Sequence, residues 1–180
     1  MCAICELDIA FAVDHPMTLP VAVATRAAIE EGRLDPAPRD PEGTLGAQRA
    51  RTRAVEALRA VQERLERTIA PERLAALPEF FVLMIETATW GFFRATPSGF
   101  DPNCRPDAPR LKDDDAAERD AVVVMSEAAA RSLAEGRTPF DRAVVDGLIA
   151  VDADDARRAI LVEAWRAAWP ELGFSRFVCA

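Results

Sequence analysis

The feature that constrains this chain most is a run of evenly spaced apolar residues between positions 47 and 69. Val55, Leu58, Val61, Leu65 and Ile69 recur at intervals of three and four, the period of a helix that buries one face. On the other face Glu63 stands four residues before Arg67, and Glu56 three before Arg59. Such pairs add roughly 0.2–0.5 kcal/mol each to an isolated helix. The buried stripe must find a partner surface elsewhere in the chain, and the remaining segments read mostly as further helices.

Thr18 is placed to cap a helix over 19–31, with Pro20 tolerated in its first turn and Gly32 as its left-handed stop. Pro36, Pro38 and Pro41 make 33–46 a loop. A short helix is predicted at 71–77. Pro78 then opens one that runs through the apolar residues 80–85 towards Phe93 and lies at the centre of the core. Residues 96–112 form a long Pro-rich loop, longer than ordinary helix connections.

Asp113, Asp114 and Asp115 favour the start of a helix continuing to Glu135, with Val122, Met125, Ala129 and Leu133 inward and Gly136 as its stop. Thr138-Pro139-Phe140-Asp141 opens another, carrying Phe140, Val144 and Leu148. Asp152 caps the last, whose face is Ile160, Leu161, Ala164, Trp165, Ala168 and Trp169, ended by Pro170. The first seventeen residues are ambiguous, because Leu7, Ile9, Phe11 and Val13 alternate as in a strand while Ile4, Leu7 and Phe11 also fit a helical stripe. The expected fold is therefore all-α. It is a single helical domain over 1–180, a multi-helix bundle of about six helices with an N-terminal extended arm or short strand.

Half of the 180 residues are apolar, enough to fill a core without disulfides or metals. A net charge of -8 disfavours nucleic acid and anionic membranes as partners. Glu6 and Asp8 stand where a signal peptide would carry Lys or Arg, and the apolar run 80–85 stops at Glu86, too short to span a bilayer. A cytoplasmic location is expected, where Cys2, Cys5, Cys104 and Cys179 are thiols or metal ligands rather than disulfides.

His15 is the only histidine, which excludes di-iron bundles and zincin motifs. Glycine-rich phosphate and dinucleotide loops are absent. Cys2-x-x-Cys5 followed by His15 offers three ligands of the kind that hold zinc, with Cys104 or Cys179 as a fourth. The opening Met1-Cys2-Ala3-Ile4 resembles the MCGI start of N-terminal-nucleophile glutamine amidotransferases over four residues, without its glycine, on a helical pattern unlike their layered α/β/β/α fold. Cys104 beside Arg105 is a candidate low-pKa thiol, with His15 as its base. Glu86 interrupts the most apolar segment, where it either pairs with an Arg or has its pKa raised, and Glu79 and Arg94 share its helical side.

The acidic group Asp113, Asp114, Asp115 and Glu118 resembles the Asp-rich Mg²⁺ sites of helical prenyltransferases, with Asp152, Asp154 and Asp155 as a second half. Helix capping explains both groups without a metal. Arg49, Arg51, Arg53, Arg59, Arg64 and Arg67 form an Arg-rich face that interleaves acids and has no aromatic residue for stacking on bases, so it reads as solvated. Trp90, Phe92 and Phe93 line a pocket with Phe100, or pack in the core.

These readings point to a non-catalytic binding or interaction protein, with a zinc site at Cys2, Cys5 and His15 and with a small molecule, a protein or a second copy as partner. The competing expectation is a helical enzyme with a pocket around Glu86, roofed by the 96–112 loop and using Cys104 or His15.

Overall fold

The structure, a computed structural model, describes residues 15–112 and 117–171, and it corrects the all-α expectation. Its centre is a four-stranded mixed sheet with helices on both faces, not a helical bundle. The helices are α1 (Thr18–Glu30), α2 (Thr44–Thr68), α3 (Pro71–Ala75), α4 (Glu127–Ala134), α5 (Phe140–Val145) and α6 (Asp155–Ala168). The sheet strands are β1 (Phe80–Met84), β2 (Thr89–Phe93), β5 (Ala121–Met125) and β6 (Ile149–Asp152). A two-stranded hairpin of β3 (Ala95–Thr96) and β4 (Gly99–Phe100) stands apart.

In the sheet order β2-β1-β5-β6, β1 runs antiparallel to β2 with Val82 opposite Gly91, and parallel to β5 with Val82 opposite Val123. β5 pairs antiparallel with β6, Val123 opposite Val151. The segment read as a central helix over 78–93 is thus a hairpin. Its run Phe80-Phe81-Val82-Leu83-Met84 is buried at every position, since β1 is an inner strand covered on both faces. Such a strand shows unbroken apolar sequence instead of alternation, which periodicity alone does not separate from a buried helix. The chain reverses through a tight turn in which Ala88 adopts φ 48°.

The helix expected over 113–135 splits for the same reason. Ala121-Val122-Val123-Val124-Met125, rich in β-branched residues, is the fully buried β5. Ser126 then caps α4 by accepting the Ala129 N–H. β6 replaces the connection expected before the last helix, whose cap is Asp154, not Asp152.

Alternation divides the core. Phe80, Val82, Met84, Val123 and Met125 face α2, α4, α5 and α6, where Leu58, Leu65, Leu133, Phe140, Leu161 and Trp165 meet them. Phe81, Leu83, Trp90, Val122 and Val124 face the other way, under Val21 of α1 and Leu111 of the long loop. Along α2 the expected stripe holds: Leu58, Val61, Leu65 and Ile69 are buried, and Val55 is half-buried. α2 sits directly on the backbone of β2, because a Cβ at Gly91 would lie 3.0 Å from Leu58 Cδ2. Glycine in a strand marks this kind of close approach.

Candidate binding groove

α2 and α4 meet through short side chains. Ala57 and Ala60 on α2 face Ala130 and Ala134 on α4, and the space they leave is a groove of about 620 Å³. Val61 lies in its floor, Trp169 just beyond α6 closes one end, and Pro38 of the α1–α2 loop forms a wall. The walls carry four arginines, Arg53, Arg64, Arg67 and Arg131, and three carboxylates, Glu56, Glu63 and Glu127.

Arg53 is fully engaged. Its Nη1 and Nη2 donate to the two carboxylate oxygens of Asp40 at 2.9 and 2.6 Å, and its Nε donates to Glu127 at 2.7 Å. The bidentate fork holds the Asp40 carboxyl below its usual range and raises the guanidinium pKa further. Arg131 donates to the backbone oxygens of Asp35 and Pro36, both at 2.8 Å. Together these contacts fasten the loop 31–43 along the groove. At the other end Arg64 Nε donates to the Ala168 carbonyl at 2.8 Å. Arg67 is exposed and ion-pairs with no carboxylate among the described residues.

Behind the Arg53 end lies a polar cluster at the carboxyl ends of the parallel strands β1 and β5. Both Glu86 oxygens accept the Glu127 N–H at 2.9 Å, so the carboxylate sits at the N-terminus of α4. The Thr25 hydroxyl donates to Ser126 Oγ at 3.0 Å. As a residue Glu86 is exposed in the turn after β1, yet its carboxylate is hemmed in by protein. Burial raises its pKa, opposed by the backbone hydrogen bonds and assisted by the Glu127 charge. The expected rise in pKa is therefore present, but from a turn and a helix cap, and Glu86 is not part of the groove lining.

The other sequence candidates are scattered. Cys2, Cys5 and Cys179 lie outside the described residues, as do Met1 to Ile4 and Asp113 to Asp115. His15 is buried; its Nδ1 accepts the Met17 N–H at 3.1 Å and its Nε2 lies 3.2 Å from Asp152 Oδ2. Burial lowers its pKa against the pull of Asp152. Cys104 is half-buried, and burial pushes its thiol up, the nearby Arg94 countering only part of that. The cation acting on it is Arg94, not its neighbour Arg105.

Glu86, Cys104 and His15 thus occupy three places: the carboxyl end of β1, the surroundings of Glu79 at its amino end, and the flank of β6. The loop 96–112 does not roof Glu86; its Arg105 to Arg110 part meets Glu79, Phe81, Phe92 and Asp120 at the amino ends of β1 and β5. Phe93 and Phe100 pack in the main core with ring centroids 5.2 Å apart, while Trp90 lies on the opposite face against Phe81. Asp154 caps α6 and pairs with Arg157. Among the described residues no three His, Cys, Asp or Glu side chains converge as a metal site, and no helix is long and apolar enough to cross a membrane.

Sequence reasoning passed over the groove because its floor is alanine. The available signal was Ala130 and Ala134 at i,i+4 and Ala57 and Ala60 at i,i+3, small residues that fail to fill the space between two helices. The chain matches no protein-family model, no curated protein and no solved structure.

Proposed function

We propose that this chain is a binding protein for a small organic molecule, held in the groove between α2 and α4. The observation that carries the reading is the groove itself. Its volume of about 620 Å³ falls in the range of roughly 300–1,000 Å³ that small-molecule sites occupy, and its apolar floor lies between walls that are more charged than those of most such sites. Among the described residues the lining contains no Ser, Thr, Cys, His or Lys, which favours binding over catalysis by a hydroxyl, thiol, imidazole or amine nucleophile. Glu86, Cys104 and His15 lie in separate places, which lends more support to the binding reading than to an enzyme that joins these three residues.

Filling the groove tests the proposal. Ala60 and Ala134 are both exposed, so Ala60→Leu with Ala134→Leu obstructs the site without overpacking the core. A neutral fluorescent apolar probe such as Nile red should bind the parent protein saturably and lose that binding in the double variant, with thermal stability retained. Equal binding by both proteins would remove the groove from consideration.

A further inference from the structure

We infer that the groove takes an amphipathic organic anion: a medium-length apolar chain bearing one carboxylate or phosphate head, with the head at Arg64 and Arg67. The inference rests on the groove being the binding site and adds the chemistry of its occupant. The chain as a whole is acidic, with a net charge of -8, so a cationic stretch of wall is a local departure.

Arg53 and Glu127 satisfy each other, and Arg53 is further tied to Asp40. That leaves Arg64, Arg67 and Arg131 against Glu56 and Glu63. Carbonyl oxygens fix Arg64 and Arg131, and a carbonyl orients a guanidinium without cancelling its charge. Arg64 commits only Nε to Ala168, so both terminal nitrogens remain for an anion, and a guanidinium fork matches carboxylate and phosphate oxygens. Arg67, three residues on, shares that side of α2 and pairs with no carboxylate among the described residues.

The apolar part of the occupant follows from the floor. From the Arg64 end, with Trp169 beside it, the surface runs over Ala60, Ala57 and Ala130 to the Arg53–Glu127 pair. Arg64 stands eleven positions beyond Arg53 on α2, which at 1.5 Å per residue is about 16.5 Å. This length suits an extended medium chain lying along the helix. The far end is the Arg53–Glu127 ion pair, whose two charges answer each other. A molecule with one anionic end and one apolar end fits both halves.

Calorimetric titration with decanoate, decyl phosphate, decan-1-ol and decylammonium, all below micelle-forming concentrations, tests the assignment. Decanoate or decyl phosphate should bind at least about ten-fold more tightly than the alcohol or the ammonium, a difference set by the charged hydrogen bonds. Arg64→Gln with Arg67→Gln, both at exposed positions, should abolish the preference for the anions over decan-1-ol while the circular dichroism spectrum keeps the folded shape. If the alcohol or the ammonium binds as tightly as the anions, or the Gln variant keeps the preference, the anion assignment falls and the groove stands. If no probe binds, or Ala60→Leu with Ala134→Leu leaves binding intact, the groove itself falls and the inference with it.

Discussion

Leu58→Ala and Gly91→Ala form a pair whose energies should not add. Leu58 is 1% exposed, and its Cδ2 and Cδ1 lie 3.0 and 3.2 Å from where a Gly91 Cβ would stand. Truncating Leu58 opens a hole whose opposite wall is the β2 backbone, held in place by pairing with β1 at Val82. The strand cannot sag into the gap, so the expected loss is about 3–4 kcal/mol, in the upper part of the usual range for buried leucine. Gly91→Ala alone gains about 0.5–1 kcal/mol from a less flexible unfolded chain but crowds Leu58 and, at 3.1 Å, Phe93 at about 1–3 kcal/mol, a net loss of at most about 2.5 kcal/mol. In the double variant the new methyl enters the vacated space. Its loss should fall short of the sum of the single losses by about 1–2 kcal/mol. Urea unfolding of the four proteins, followed by circular dichroism, gives the three differences. Additivity within about 0.5 kcal/mol would show that α2 does not rest on β2 at this point.

Glu86→Gln should gain stability relative to the parent as pH rises from about 4 to about 7. The folded-state pKa of Glu86 is raised above 4.5, so its contribution is fully present below that value and lost as pH rises through the folded pKa, whereas Gln stays neutral. A difference in urea midpoint that is constant across this range would sink the account. In a Cys2→Ser, Cys5→Ser, Cys179→Ser background, Cys104 should react with a thiol reagent at neutral pH more slowly than free cysteine, because burial keeps it protonated; a rate equal to free cysteine would contradict this. Ala88→Gly should raise the urea midpoint slightly, since φ 48° costs a non-glycine residue about 1–2 kcal/mol and the more flexible unfolded chain takes back about 0.5–1 kcal/mol; a lowered midpoint would mean the turn is otherwise shaped.

The helices with one wet face were legible, and the sheet was not. α2 falls at Thr44–Thr68 against an expectation of 47–69, and α1 at Thr18–Glu30 against 19–31, with Gly32 in the left-handed region as its stop. These elements have a polar side, so the apolar period shows. β1 and β5 have none: each is buried at all five positions, and a strand without a wet face carries no period-2 signal. Composition held the surviving hint, since Val122, Val123 and Val124 prefer strand, and Gly91 is a poor residue for the helix interior assigned to it. Of the candidate site, Arg53, Arg64 and Arg67 were visible as part of an Arg-rich face, but their roles depend on partners in other elements. Asp40, Glu127 and the Ala168 carbonyl are brought to them only by tertiary packing. Glu86 was correctly marked as unusual, and the neighbour that explains it, the first N–H of α4, lies 41 positions away.

The loop that walls the groove is secured by contacts of two electrical kinds. At Asp40 the fastening is between full charges, on side chains still partly open to water; at Asp35 and Pro36 the Arg131 guanidinium meets two neutral carbonyls, beside an ion pair of Arg137 with the Asp35 carboxylate. Dissolved salt weakens the first more than the second, because screening at physiological strength already acts over about 8 Å. Salt therefore weakens the charged fastenings of this wall more than the Arg131 carbonyl contacts. For a neutral guest, a wall that opened more often would speed entry and exit together, so exchange kinetics, rather than affinity, would record the Arg53–Asp40 bond as ionic strength rises.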